Sequence, residues 1–430
     1  MRALLLTVGS QGDVQPFVAL ASRLRSDGHE AVLAAPALYG GLAAAYDVPF
    51  VPLDLDLDRL GAALAGRHGL RHLLTFCRSL GRVAGALLPG ATTAVLASAA
   101  GAAGPPGADV VVHHPVLPLG QHLAEFLGVP AVVAQPQPAL VPTREFASAA
   151  WPCRVPGVLN RPSYRAARVL SGAWARPQIE RWRRDVLALP PRPGRHDPLR
   201  AAGGGPAPVL HAYSAHVVPR PADWPASAQV TGYWLLPTAP GWTPPRRLAE
   251  FVEAGEPVVY LGFGSMPGPD PERLAAALQT AAGRHGFRAV VASPSPALRR
   301  LLPARRFLVI RQAPHDWLFP RVRAVVHHGG AGTTGSAVTA GRPQVIWPFG
   351  VDQHFWARRM TGLGVAPPAR PVRALTGPAL AAALGQALGD PRLAAAARDL
   401  GGRVRAEDGC GAAVARIERL TAGARRAVPA

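Results

Sequence analysis

The sequence predicts an α/β protein of two Rossmann-like lobes, each a parallel sheet with helices alternating along the chain. Three observations carry this. The chain has 430 residues, too many for one ordinary hydrophobic core. It opens as strand, loop, helix, strand: an apolar run over 3–8, the loop GSQGDVQP, a helix over 16–27 stopped by Gly28-His29, and a second strand over 30–35. After a proline-rich stretch the same alternation restarts with PVVYLGF at 257–263, an almost continuous apolar run of the kind buried on both faces of a parallel sheet.

Composition sets the class. Hydrophobic residues make up 49% and charged residues 17%, so the chain has material for sizeable cores and is not a disordered one. The formal net charge is +20, yet no lysine occurs and all 46 basic residues are arginine, beside 46 glycines and 47 prolines. A coding bias explains this at least as well as a selected basic surface, and no nucleic-acid module accompanies it; an anionic membrane or substrate stays open as a partner. Cys77, Cys153 and Cys410 are odd in number, far apart and without metal-ligand spacing, which predicts a reducing, cytoplasmic setting without disulfides. The apolar run at 3–8 is too short for a secretion signal and reads as the first strand. The stretch 83–100 is uncharged, but its Ala, Gly, Thr and Ser content and Pro89 predict a buried or half-buried helix pair rather than a membrane span.

In order along the chain, Asp13 lies at the carboxyl end of the first strand, where open parallel sheets carry their ligands. It suits two roles from spacing alone, a cap for the helix expected from Pro16 or a catalytic base. The run Asp54-Leu55-Asp56-Leu57-Asp58 lacks the glycine and distal glutamate of a calcium loop and reads as an exposed edge or loop. A strand over 109–112 leads to His113-His114, one of which could face a ligand, and 131–134 reads as another buried strand. Residues 160–200 hold ten arginines with Tyr164, Trp174 and Trp182 against Glu180, Asp185 and Asp197. Such a segment could lie on an anionic membrane, admit a hydrophobic acceptor, or be a solvated helix whose aromatics pack inward. A strand over 209–213 is followed by TGYW and a proline-rich connection to Pro245, the best place for a domain boundary: 1–228, a linker over 229–245, and 246–430.

The second half continues with Gly264-Ser265 at a strand end, a helix over 271–283 and strands over 288–292 and 307–310. The densest stretch is Arg311 to Gly364. A strand at 324–326, the turn His328-Gly329-Gly330-Ala331-Gly332-Thr333, and a helix over 333–340 make an anion site, because unpaired N–H groups and the positive end of the helix dipole favour phosphate. His328 and the Thr333 hydroxyl can add donors. A further strand over 344–347 runs through Pro348-Phe349-Gly350 to Asp352-Gln353, at the start of another helix.

These motifs, GSQGDVQP, PTREF, TGYW, VYLGFGS and the order APHDW, HGGAGTT, DQ, are spread over roughly residues 1–420 and resemble the nucleotide-sugar glycosyltransferases with the GT-B fold. The branch with sterol glucosyltransferases and the glycopeptide and macrolide antibiotic glycosyltransferases looks nearest. The resemblance implies two lobes facing each other across a cleft, the N-terminal one for the acceptor and the C-terminal one for the donor, with the last helix returning to the first lobe. It implies inverting, metal-independent transfer of a hexose from a UDP- or dTDP-sugar, a co-substrate with no further cofactor, to a hydroxyl of a sterol-like lipid or a polyketide or glycopeptide aglycone. The resemblance gives Asp13 the role of general base; Ser10 and His114, near strand ends of the first half, are the candidates for the acceptor side. Ser265, Ala313, His315, His328, Gly330, Gly332, Thr333, Asp352 and Gln353 are the donor-binding candidates. Gln11 stands where many relatives carry Arg, which changes the charge around Asp13, and Gln312 where plant-type relatives stack the base on Trp; Ser336 replaces the Glu that holds the ribose diol in those relatives, which leaves ribose and deoxyribose donors both open. Asp352 and Gln353 favour a sugar with free hydroxyls, such as glucose. Two rivals are a non-catalytic relative that binds nucleotide-sugar or lipid as a sensor, and a sugar-nucleotide epimerase; neither accounts for Asp13 together with Asp352-Gln353.

Overall fold

The structure, a computed structural model, describes residues 1–54, 88, 92, 107–116, 119–151, 155–172, 176–191, 196–264 and 268–427. The stretch 83–100 (save positions 88 and 92), Asp56 and Asp58, Trp174, Cys77 and Cys153, and Ser265 lie outside the described residues. The chain divides into two compact units, one of 1–215, 219–236 and 408–430, the other of 216–218 and 237–407.

The first unit is built on a parallel sheet in the order β3-β2-β1-β4-β5-β6-β7. The strands are β1 (Arg2–Leu6), β2 (Glu30–Pro36), β3 (Phe50–Leu53), β4 (Val110–His113), β5 (Ala131–Gln135), β6 (Val209–His211) and β7 (Ala228–Val230). Alternation along each strand splits its side chains between two cores. Ala3, Leu5, Val110 and Val112 face one and Leu4, Leu6 and Val111 the other, with each fully buried Val or Leu contributing about 1.5–3 kcal/mol. β7 pairs with β6, so the first unit runs past the expected boundary at 228 to Leu236. The helix Gly409–Ala427 belongs to this unit too, burying Ala413, Val414 and Ile417 in the core that holds Leu5 and Phe17.

Two local expectations change. The first helix spans Gln11–Ser26, not 16–27: Ser10 caps it, Asp13 sits in its first turn, and Pro16 is buried in its second turn rather than opening it. The segment 160–200 holds two helices, Asn160–Gly172 and Arg176–Asp185. Its described aromatics Tyr164 and Trp182 are buried, the indole N–H of Trp182 donating to Thr92 Oγ1 at 2.8 Å. Among the described residues no helix is long and apolar enough to cross a membrane.

The second unit holds a parallel sheet in the order β10-β9-β8-β11-β12, with β8 (Val258–Gly262), β9 (Arg288–Ala292), β10 (Phe307–Ile310), β11 (Ala324–His327) and β12 (Gln344–Ile346). In each sheet the earliest strand of the unit lies inside, and the chain reverses its direction of growth across it. The switch points are therefore β1/β4 and β8/β11, where doubly wound sheets hold ligands beyond the carboxyl ends of the strands. β4 and β11 end alike, in His113-His114 and His327-His328.

Candidate active site

At the first switch point the chain leaves β1 through Thr7, Val8 and Gly9 to Ser10. Asp13 Oδ2 accepts the Ser10 backbone N–H at 2.8 Å and the Ser10 hydroxyl at 3.0 Å, while the Thr7 hydroxyl donates to the Asp13 carbonyl at 2.9 Å. Gly9 has φ 128°, and a Cβ there would lie 2.4 Å from Asp13 Oδ2, so the carboxylate needs glycine beside it. Burial raises the Asp13 pKa above the usual carboxylate value, against the two hydrogen bonds from Ser10 that lower it. The carboxylate is half-buried and keeps one oxygen, Oδ1, outside these bonds, which is the equipment of a base. The capping role is thus met, and it leaves Oδ1 unused at the carboxyl end of β1. Burial, with the nearby Asp13 charge adding to it, lifts the Tyr39 phenol to about 12.

His114 follows β4 and is buried with its ring edge-on to Phe17 at 6.3 Å. Its Nδ1 accepts the Val116 N–H at 3.4 Å, its Nε2 has no partner, and burial pulls its pKa down to about 4. It is therefore neutral near pH 7, with Nε2 the end that carries the proton.

At the second switch point the glycine turn follows β11. Gly330 is the N-cap of the helix Ala331–Thr339, so Ala331, Gly332 and Thr333 form its first turn, two residues earlier than expected, and leave their N–H groups without intrahelical acceptors. His328 lies between two glycines: a Cβ on Gly330 would stand 2.5 Å from His328 Nε2 and one on Gly264, after β8, 3.0 Å from its Cε1. His328 Nδ1 has no partner, and burial pushes its pKa down to about 4. Gly329 has φ +90°, and any Cβ there would meet Ile346 Cγ2 at 2.8 Å.

His327 was not among the expected residues, yet it sets this turn. Its Nδ1 accepts the Gly329 N–H at 3.1 Å, which fixes the proton on Nε2 and makes that atom the donor to Gln344 Oε1 at 2.9 Å. The signal was present in the doubled histidine at a strand end, where alternation must turn one ring into the core and the other outward.

His315 opens the short helix His315–Leu318 with its ring stacked on Phe319 at 4.1 Å and edge-on to Tyr260 at 5.8 Å. Ala313 packs against the same cluster, and Gln312 is exposed. Asp352 is the N-cap of the helix Gln353–Gly362 and accepts the Trp356 indole N–H at 2.9 Å. Gln353 Oε1 accepts the Phe349 and Gly350 N–H groups at 2.7 and 3.2 Å, so its oxygen holds the turn and its amide NH₂ is not used in these bonds. Val351, between them, has φ 51°, a strained value for a β-branched residue. Ser336 donates to the Gly332 carbonyl at 3.0 Å and offers a ligand no carboxylate. Among the described residues no three His, Cys, Asp or Glu are grouped to hold a metal ion.

The comparisons with known proteins agree at both ends of the chain. Residues 3–143 match the glycosyltransferase family 28 N-terminal domain, and residues 289–419 match the erythromycin biosynthesis protein CIII-like C-terminal domain. The chain is 35% identical over 435 residues to the O-mycaminosyltylonolide 6-deoxyallosyltransferase of Streptomyces fradiae, covering 97% of each. It is 34% identical over 428 residues to the sterol 3-beta-glucosyltransferase of Emericella nidulans, covering 96% of this chain but only 29% of that protein, so it spans about three tenths of such relatives. Among solved structures, a glycosyltransferase of Streptomyces sp. SF2575 complexed with thymidine diphosphate matches with TM-score 0.66 at 23% identity, over 97% of this chain and 99% of that one, which speaks for the fold.

Proposed function

The chain belongs to the glycosyltransferases of the GT-B type, and on that premise we propose that it is an inverting, metal-independent transferase that moves a hexose from a UDP- or dTDP-sugar to a hydroxyl of a hydrophobic small molecule. The observation that carries this is Asp13, a carboxylate held by Ser10 at the β1/β4 switch point with its proton affinity raised by burial. A protein that only binds nucleotide-sugar would need Asp13 for the helix cap alone, and the cap does not use Oδ1.

In the step proposed, Asp13 takes the proton of the acceptor hydroxyl while that oxygen forms its bond to the sugar C1. The bond from C1 to the diphosphate oxygen breaks from the opposite face, and the nucleoside diphosphate leaves with the electron pair. Attack opposite the leaving group inverts the anomeric carbon. The departing charge falls to the N–H groups of Ala331 to Thr333, the positive end of their helix, the Thr333 hydroxyl and the unpartnered His328 Nδ1. These donors are fixed before the reaction, which is why the reading needs no metal ion. Ala313 and His315 are assigned to the nucleoside side, Asp352 and the Gln353 amide to the sugar hydroxyls, and Ser10 and His114 to the acceptor side.

The test is mass spectrometry of products formed with UDP-glucose and dTDP-glucose in the presence of EDTA, offered hydroxylated macrolactones, glycopeptide aglycones and sterols. Gain of one hexose on an acceptor supports the reading. Nucleotide binding without transfer to any acceptor favours the non-catalytic sensor instead.

A further inference from the structure

Three buried polar side chains line one edge of the first sheet with no partners. The register pairs His113 with Val133 and Gln135 with His211, and residues two apart on a strand share a face. His113, Gln135 and His211 therefore project from the same face at the carboxyl ends of three successive strands, β4, β5 and β6. None is more than 1% exposed. Among the described residues, no hydrogen-bond partner meets either ring nitrogen of His113, either of His211 or either end of the Gln135 amide. Orphaned buried groups are rare in folded proteins and point to a missing partner.

The same unit shows what a satisfied buried histidine looks like. His122 Nδ1 meets Arg183 Nη1 at 2.8 Å, and its Nε2 is 3.2 Å from Gln121 and 3.3 Å from His196. Nothing of the kind serves His113 or His211, although both rings are held in place. His211 stacks on Trp224 at 4.3 Å and 18°, and His113 lies so close to Gly120 that a Cβ there would sit 2.3 Å from it. Burial keeps both rings neutral, at about 4 for His113 and about 3 for His211, so each has one N–H donor and one acceptor nitrogen. The amide adds two donors and an oxygen. The row matches a ligand that carries both hydroxyl and carbonyl groups.

Resting on the reading of this unit as the acceptor side, we propose that His113, Gln135 and His211 bind oxygen substituents of the acceptor. The acceptor class is then a polyoxygenated scaffold, an apolar frame bearing several hydroxyl and keto groups, and not a sterol with a single hydroxyl. A sterol would bury these polar atoms against hydrocarbon and leave them unpaired.

The experiment uses the full chain and two near-isosteric variants, His211→Phe, which keeps the stack on Trp224, and Gln135→Met. Calorimetric titration measures binding of a polyhydroxylated keto-macrolactone, of ergosterol and of dTDP, and thermal denaturation measures Tm. The proposal expects Tm to hold or rise, since unpaired polar atoms are removed, while macrolactone affinity falls tenfold or more and ergosterol and dTDP affinities do not change. A fall of Tm in both variants would mean that water already pairs these atoms, and would overturn the proposal, as would equal loss for both acceptors. Wild-type protein that transfers a hexose to ergosterol and ignores the macrolactone overturns it while leaving the proposed function standing. Wild-type protein that binds neither acceptor overturns it too, and the proposed function then falls only if no acceptor of the wider panel gains a hexose.

Discussion

Replacing Asp13 by asparagine tests the chemistry with the least disturbance of the fold. The substitution keeps an oxygen where Oδ2 now accepts the Ser10 N–H and hydroxyl at 2.8 and 3.0 Å, so the first turn of the helix stays tied. It removes only the ability to take a proton. A positioned base is worth about 10²–10⁴ in rate, so kcat should drop by that factor, or about 3–5 kcal/mol of transition-state stabilisation. The affinity for dTDP or UDP, which the proposed function assigns to residues of the second unit, should not move. Wild-type rate should fall as the solution is acidified through the raised Asp13 pKa, and the variant should lack that acid limb. The sign for stability is opposite. A carboxyl whose folded pKa is raised contributes most when protonated at low pH, and that contribution is lost as pH rises. Asparagine cannot ionise and escapes the loss, so the variant should melt no lower than wild type near pH 7. The assay is product formation under saturating donor and acceptor over pH 5–9, with Tm and dTDP titration on the same samples. A variant that turns over within about fivefold of wild type would refute Asp13 as base, because a cap alone is worth no rate.

Gly330→Ala should cut nucleotide diphosphate affinity tenfold or more, because the new Cβ needs the space of His328 Nε2, 2.5 Å away; calorimetric titration with dTDP and UDP reads it. His327→Leu should leave the Gly329 N–H buried and unpaired, costing about 1–3 kcal/mol, and should raise donor KM while kcat changes less. His327→Asn places an oxygen near the lost Nδ1 and should restore most of the donor affinity; equal defects in both variants would assign His327 a general packing role. His113, His114, His211, His327 and His328 are all held near 3 to 4 by burial, against 6.5 for the unfolded chain. Their neutral forms stabilise fully above pH 6.5, and that contribution is lost as pH falls toward 4, so Tm should decline steeply over this window.

The legible parts of the fold are those where one signal dominates. The strands at 288–292 and 307–310 are short apolar runs between breakers and lie where the pattern placed them. The first helix shows two signals in conflict: Pro16 suggests a helix start, but Ser10 with Asp13 three residues later supplies the start that forms. β7 is three residues, Ala228–Val230, with only Ala228 buried, too short to announce itself. The helix Leu119–Leu127 hides its burial behind Gln121 and His122, whose polarity is met by Arg183 and His196 far along the chain. In the candidate site, the glycines mark a tight turn along the chain, and the structure gives their local reasons: a positive φ at Gly329 and the His328 ring against Gly330. Gln353 reads differently in three dimensions, since its oxygen is spent on the Phe349 and Gly350 N–H groups. The unpartnered row of His113, Gln135 and His211 is invisible along the chain, because strand pairing alone brings the three together.

The return of 408–430 to the first unit has a practical side. Arg23 grips Asp408 at 2.8 Å, Gly409 lies where a Cβ would stand 2.3 Å from the Tyr233 carbonyl, and Ile417 is fully buried beside the first helix. In connectivity terms the main segment of the second unit is an insertion within the first, entered after Leu236 and left before Asp408, with 216–218 as a second, short segment. A single crossover at the linker would therefore strip a chimera of part of the core that Asp13 stands on. If the second unit binds the donor as proposed, donor preference should be exchanged as a cassette of residues 237–407 together with 216–218, with the recipient keeping its own C-terminal helix.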